Sequence, residues 1–251
     1  MSGISEVSFT SVPEAEDQPR IRRGPLPYIL LSIGAVVILI GLWIGLFVAP
    51  AETFQGNTQR IMYIHVPTAW AAMLALLFAF VSSFAYLFNG KWAWDARLEA
   101  SVEIGTLLGL LLCIQGSVWA KPTWGVWWDW DPRLTTSAVM VFAFAGILAL
   151  RKFVEEPGRR ATWSAVATII AFIDVPVVYF SVNWWNSLHQ TQSTAGNIAP
   201  AFRTPLYTSA IGFVILLAGL IMLRARTAEI ALSEEIAPPL EPLAAAGGER
   251  S

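Results

Sequence analysis

Six long apolar stretches, separated by short polar segments, dominate the hydrophobic pattern of this 251-residue chain. Each stretch has about the 17–25 residues that a helix needs to cross a hydrocarbon core of roughly 30 Å. Because lipid offers the backbone no hydrogen-bond partner, a segment of this kind spans the membrane as an α-helix. We therefore predict six transmembrane helices, over residues 28–49, 66–88, 104–120, 134–150, 161–182 and 206–223.

The composition indicates the same class of protein. Hydrophobic residues make up 55% of the chain and charged residues 14%, whereas soluble domains carry about 25% charged residues. We predict an all-α, polytopic integral membrane protein with a single membrane domain over residues 26–227. Residues 1–25 and 228–251 are acidic and contain few aromatic residues, so we expect a disordered cytoplasmic arm and a disordered cytoplasmic tail.

The basic residues predict the orientation, because Lys and Arg near helix ends favour the cytoplasmic side. With the N-terminus in the cytoplasm, eleven of these residues fall on the cytoplasmic side and four on the outer side. The outer four are Arg60, Lys121, Arg133 and Arg203. We therefore predict that both termini are cytoplasmic and that the loops 50–65, 121–133 and 183–205 share the outer side.

Both histidines of the chain fall in or beside these outer loops. His65 stands two residues before Pro67. We expect this proline in the first helical turn, so His65 is predicted at the mouth of the second helix. His189 follows the fifth helix. Each histidine alone has an ordinary interpretation as an interfacial residue bonded to backbone or water.

Two histidines on one side of the membrane can also hold a metal, since neutral imidazole binds haem iron, zinc and copper well. A zinc site would need further protein ligands. The chain has no third histidine, and its single cysteine, Cys113, lies in the middle of a predicted helix. The pair therefore suits haem better, because the porphyrin itself supplies four nitrogens.

The second outer loop contains the densest aromatic segment of the chain, WGVWWDWDPRLTT over residues 124–136. The i, i+3, i+4 spacing of Trp124, Trp127 and Trp128 predicts one stripe along an amphipathic helix on the membrane surface. Asp131 before Pro132 is typical of an N-cap followed by proline at the first helical position. The fourth transmembrane helix is therefore expected to begin here, with Arg133 in its first turn.

Two interpretations of these tryptophans remain open. Tryptophan is enriched at both membrane interfaces, so a simple belt is one of them. Eight tryptophans fall on the outer side and three on the inner side, however, which favours a platform for a flat ligand. The outer cations can pair with the carboxylates of such a ligand.

Asp174 stands near the middle of the fifth predicted helix, two residues before Pro176. An ionisable group at that depth is costly and is usually paired or functional, and the proline predicts a kink. A polar hinge below the outer site and a structural aspartate that faces the bundle are both compatible with the sequence.

The tryptophan-rich segment resembles the WWD signature of the haem-handling proteins of cytochrome c biogenesis. The family pattern, roughly W-G-x-W-W-x-W-D-x-R-L-T, is filled without a gap. The flanking segments YIHVP and WWNSLHQ resemble those that carry the two external histidines of the family. The matching residues are Trp124, Gly125, Trp127, Trp128, Trp130, Asp131, Arg133, Leu134 and Thr135.

The resemblance implies haem b, bound without a covalent link, at the periplasmic face of a bacterial inner membrane. His65 and His189 would be the axial ligands of the iron. The platform would consist of Trp124, Trp127, Trp128, Trp130 and Asp131, with Arg133 contacting a propionate or a chaperone. The implied partners are a periplasmic haem chaperone, an ABC-type ATPase, a second membrane subunit and a small single-helix subunit, with no nucleic acid.

Other functions remain to be distinguished. The chain has no G-x-x-x-x-G-K-[ST] segment, so nucleotide energy would have to come from a partner; whether the chain itself catalyses a reaction stays open. A b-type cytochrome would hold haem between histidines well inside the membrane, whereas both histidines here are expected at helix ends. A permease for a small molecule would need more polar groups within the membrane than Asp174 alone.

Overall fold

The structure, a computed structural model, describes residues 24–194 and 196–237. This part of the chain is helical apart from short loops and one β-bridge between Glu52 and Gly56. A π turn (Ile44–Val48) extends the first helix, and a 3-10 turn (Asn57–Ile61) precedes the second. The helices are α1 (Leu26–Trp43), α2 (Met62–Asn89), α3 (Trp92–Trp124), α4 (Pro132–Phe153), α5 (Pro157–Phe172), α6 (Asp174–Trp184) and α7 (Pro200–Ile236).

Six helical segments of the described chain are long and apolar enough to cross a membrane, with α5 and α6 together forming one of them. Each predicted apolar stretch falls within one of these segments, apart from residue 49 at the end of the first. The all-α class with six spans is therefore confirmed. The predicted arm, residues 1–25, lies outside the described residues except for its last two.

The first and last helices pack against each other along their lengths. A Cβ atom added to Gly34 of α1 would lie 2.6 Å from the backbone nitrogen of Leu216 in α7. Only glycine permits this separation of the two backbones. Small residues at such contacts allow membrane helices to approach closely. This close packing is needed because lipid provides no hydrophobic driving force between helices.

The fifth span is broken at Ile173 instead of forming one continuous helix. Pro176 has no N–H to donate to the carbonyl of Phe172, the last residue of α5, which explains the position of the break. Asp174 is the first residue of α6, and its Oδ2 atom is buried without a hydrogen-bond partner within the described chain.

The prediction of a disordered tail from residue 228 onward is wrong for its first part, because α7 continues to Ile236. Ala228 and Leu232 are buried against the bundle. Glu235 forms an ion pair of 2.5 Å with Arg160 of α5. Burial and this pair stabilise a helix that composition alone did not indicate. Residues 238–251 lie outside the described part.

A network of ion pairs joins α3, α4 and α7 at the end of the bundle away from the histidines. Arg151 contacts Asp95 and Glu99 at 2.7 Å each, and Arg224 contacts Glu99 at 2.6 Å and Glu103 at 2.5 Å. Arg151 and Asp95 are almost fully buried. Removing one partner of such a pair leaves a buried charge without compensation, so the network fixes the relative positions of the three helices.

Candidate functional site

The three predicted outer loops meet at one end of the bundle. Contacts there join residues far apart in the sequence: Gln55 of the first loop with Trp119 near the end of α3, and Asp131 of the second loop with Ser187 and Leu188 of the third. The two histidines lie at the same end. This convergence follows from helix connectivity, because the start of α2, the end of α3 and the start of α7 all lie there.

His65 lies in the first turn of α2, which begins at Met62. Pro67 is therefore in the second turn, and the prediction that it lies in the first turn is wrong; the 3-10 turn before α2 supplies the extra helical residues. His65 is buried, with 8% of the residue exposed. Its Nδ1 atom is buried and has no hydrogen-bond partner among residues 24–194 and 196–237.

His189 lies in the irregular loop between α6 and α7. Its Nδ1 atom is 2.8 Å from the carbonyl oxygen of Gln190, and this bond leaves Nε2 free for a ligand. Burial and the nearby Arg133 guanidinium lower the pKa of His189. The neutral imidazole is therefore favoured, and this is the form that binds a metal ion.

The two imidazole rings face the same space. Their centroids are 6.5 Å apart and their planes are inclined by 30°. Two imidazoles that bind one metal from opposite sides, with metal–nitrogen bonds of about 2.0–2.1 Å, have ring centres roughly 6 Å apart. The spacing of His65 and His189 is therefore compatible with both imidazoles binding one metal ion between them.

The histidines line a cavity of about 1280 Å³, counting its open mouth. Its walls are mostly apolar. Trp119 lies edge-on to His65 at 5.4 Å, and Trp124 lies edge-on to His189 at 6.4 Å.

The tryptophan-rich segment does not form the predicted amphipathic helix. The long helix α3 ends at Trp124, because Gly125 adopts a left-handed conformation with φ of 82°. Residues 125–131 are not helical, so the expected stripe of three tryptophans is absent. Glycine at this position is the usual signal for the end of a helix.

The loop divides its tryptophans into two groups. Trp124 and Trp128 line the cavity. The indole nitrogen of Trp128 is buried and has no acceptor within the described chain, so this donor is free for a ligand. Trp127 and Trp130 do not line the cavity, and they are 59% and 76% exposed.

Asp131 caps α4 as predicted, with its Oδ1 atom accepting a hydrogen bond of 2.9 Å from the Leu134 N–H. It does not line the cavity. Its Oδ2 atom accepts from the Ser187 hydroxyl and, at 2.9 Å, from the Leu188 N–H. Burial opposes ionisation, but the bond from Ser187 and those from backbone N–H groups outweigh it, so the pKa of Asp131 lies below its ordinary value.

Arg133 is the basic residue that lines the cavity. Its guanidinium donates one hydrogen bond of 3.3 Å to the Tyr179 carbonyl, and its remaining N–H groups can bind an anionic ligand. The other outer cations bond to backbone oxygens elsewhere: Lys121 to Gly125, Arg60 to Gly45 and Arg203 to Ile198.

Several residues that contribute to the site belong to no motif. Trp119 and Gln55 are joined by a hydrogen bond of 3.0 Å beside His65. Gln192 lies near His189 and bonds to the Tyr179 carbonyl. All three fall in or next to the outer loops, which is the signal that could have drawn attention to them. No cluster of three His, Cys, Asp or Glu side chains suited to a metal ion occurs in the described chain.

The fold and the site together define a multi-pass helical membrane protein with a two-histidine cavity at one end of its bundle. The family model described as Heme exporter protein C matches residues 14–237.

Curated relatives carry the same name, and three of them illustrate the similarity. The Escherichia coli K12 protein is 36% identical over 199 residues, which are 78% of this chain and 81% of that relative. The Bradyrhizobium diazoefficiens protein is 36% identical over 189 residues (72% and 71%), and the Haemophilus influenzae protein 35% identical over 208 residues (81% and 84%). The chain belongs to the heme exporter protein C family.

Proposed function

We propose that this protein binds haem b at the periplasmic face of the bacterial inner membrane and presents it to a periplasmic haem chaperone for cytochrome c maturation. Membership of a family named for haem export supports the class of function. The observation that carries the proposal is the His65–His189 pair, with ring centroids 6.5 Å apart in an open, mostly apolar cavity.

The cavity offers each part of haem a suitable contact. His65 and His189 would hold the iron. Trp124 and Trp128 would lie against the porphyrin, since aromatic walls provide rigid apolar area. Arg133 would pair with a propionate through charge-assisted hydrogen bonds, and the free indole N–H of Trp128 is a second donor.

The exposed tryptophans provide a surface for handing haem over. Trp127 and Trp130 project from the loop that also carries two cavity residues. Exposed aromatic residues of this kind are typical contacts in protein interfaces. We place the haem chaperone on this surface, and we propose that the chain acts in a complex with an ABC-type ATPase, a second membrane subunit and a single-helix subunit.

The decisive experiment is the absorption and electron paramagnetic resonance spectrum of the haem-loaded protein. The wild type is expected to show coordination by two imidazoles. His65→Ala and His189→Ala are each expected to lose this signature, and free imidazole should restore it by entering the vacated position. Trp163→Ala, an exposed tryptophan of α5 at the other end of the bundle, is the control. If the double histidine variant kept the wild-type spectrum, the proposed ligands would be wrong.

A further inference from the structure

We propose that Asp131 and Ser187 are positioning residues that hold His189 in place, and that Asp131 acts on haem only through this histidine. The inference rests on the proposed function, because it concerns the residues that position His189, one of the two proposed iron ligands. It departs from the expectation that Asp131 belongs to the porphyrin platform.

The hydrogen bonds form a continuous connection between α4 and the histidine. Asp131 Oδ2 accepts from the Ser187 hydroxyl and from the Leu188 N–H at 2.9 Å. The Ser187 oxygen in turn accepts from the backbone N–H of His189 at 3.0 Å. We call this connection the Asp131 clasp. It fixes three consecutive residues of an irregular loop to the rigid start of a helix.

The loop needs such an anchor, because residues 185–194 have no regular secondary structure. On the far side of His189, Gln192 also attaches the loop to the bundle through its bonds to the Tyr179 carbonyl and to Asn183. The clasp and Gln192 therefore hold the histidine from both sides. Without the clasp, the loop loses its attachment to α4 before His189, and the imidazole is held less firmly opposite His65.

The position of Asp131 argues against direct contact with a ligand. The residue is 7% exposed and does not line the cavity. Both of its carboxylate oxygens already accept hydrogen bonds, one from Leu134 and the other from Ser187 and Leu188. The Asp131 carboxylate therefore has no free acceptor to offer a ligand. Its negative charge also does not attract a porphyrin that itself carries two carboxylates.

Asp131→Asn tests the clasp independently of the helix cap, because it disrupts the clasp and preserves the cap. Asparagine is as good an N-cap as aspartate, so its single oxygen can keep the bond from Leu134. Its amide group then faces the Leu188 N–H, where two donors cannot pair. Ser187→Ala removes the hydroxyl from the other side and leaves Asp131 unchanged. Asp129→Asn makes the same charge change at an exposed position of the same loop and is the matched control.

The first measurement is haem titration of the full-length protein in detergent with ferric haem. Loss of a group that orients a metal ligand typically weakens metal affinity by about 10–100-fold, so we expect this loss, with a weakened two-imidazole signature, for Asp131→Asn and Ser187→Ala. Asp129→Asn should match the wild type. Wild-type affinity and spectrum in both clasp variants would overturn the proposal.

A double-mutant cycle with His189→Ala distinguishes positioning from direct contact. If Asp131 acts through His189, Asp131→Asn causes no further loss of haem affinity when His189 is already absent. An equal loss in both backgrounds would mean that Asp131 contacts haem directly and would contradict the inference.

Hydrogen exchange of the haem-free protein tests the clasp independently of any ligand. Peptides that cover residues 186–192 should exchange faster in Asp131→Asn and Ser187→Ala than in the wild type and in Asp129→Asn. Exchange in α4 should stay unchanged, which controls for folding. If the loop exchanges at the wild-type rate in both clasp variants, the clasp is overturned, whether or not the protein binds haem. If the clasp variants exchange faster but the wild type has no haem affinity, only the proposed function is contradicted.

Discussion

The indole nitrogen of Trp119 donates a hydrogen bond of 3.0 Å to the side-chain oxygen of Gln55, and the same indole lies edge-on to His65 with ring centroids 5.4 Å apart. Gln55 belongs to a short loop before α2, whereas Trp119 lies near the end of α3. This bond orients an aromatic ring against one of the two proposed iron ligands.

Substituting Trp119 by Phe should therefore loosen the His65 side of the cavity. An aromatic ring is kept, although phenyl is smaller than indole, but the hydrogen bond from the indole N–H is lost, which typically costs about 1 kcal/mol of unfolding free energy. We expect a corresponding loss of haem affinity, of about fivefold, measured by titration with ferric haem. Gln55→Leu should give a similar loss. Trp163→Phe is the control, and an equal effect there would show that the bond has no special role.

The two groups of tryptophans should separate haem binding from haem transfer. Trp124→Ala and Trp128→Ala remove half-buried cavity walls and are expected to weaken haem binding, since aromatic side chains provide large, rigid apolar contact area. Trp127→Ala and Trp130→Ala alter exposed residues and should leave affinity unchanged while slowing transfer to the haem chaperone. The measurements are haem titration and stopped-flow transfer rates. Weaker haem binding in the second pair would contradict this division.

Arg133 should recognise propionate groups. Charge-assisted hydrogen bonds contribute about 1.5–3 kcal/mol, so Arg133→Met is expected to weaken binding of haem by at least about tenfold. Binding of haem dimethyl ester, which has no free carboxylates, should change much less. Competition titrations with the two ligands measure the difference. Lys121→Met is the control, because the Lys121 ammonium bonds to the Gly125 carbonyl. If Arg133→Met weakened the binding of haem and of its dimethyl ester equally, the assigned contact would be refuted.

Gly34→Ala should separate α1 from α7 and destabilise the bundle. The new methyl group would lie within 3 Å of backbone atoms of α7, which cannot move aside as a side chain can. Overpacking of this kind typically costs about 1–3 kcal/mol. Thermal unfolding in detergent measures the effect. Gly146→Ala in α4 is the matched control, because no atom lies within 4 Å of its added Cβ; it should be neutral or slightly stabilising.

Local patterns in the sequence were sufficient to predict the six membrane spans and one helix boundary, the start of α4. Uninterrupted apolar stretches predict membrane helices because the bilayer leaves the backbone no alternative. Asp131 and Pro132 predict the start of α4 because capping involves neighbouring residues only. The same local logic should have ended α3 at Gly125, where the i, i+3, i+4 spacing of the tryptophans instead predicted an amphipathic helix on the membrane surface.

Contacts between distant residues could not be predicted in this way. Topology predicted that His65 and His189 share one side, but the spacing of their rings depends on how α2 packs and on where the loop after α6 is anchored. The continuation of α7 past residue 228 depends on burial of Leu232 and on the Arg160–Glu235 pair. The sequence by itself determined the class of protein, the six spans and the residues that approach one another at one membrane surface. Only the tertiary structure decided which tryptophans line the cavity and which are exposed, and that Asp131 holds the histidine loop, because these features arise from side chains that meet across the bundle.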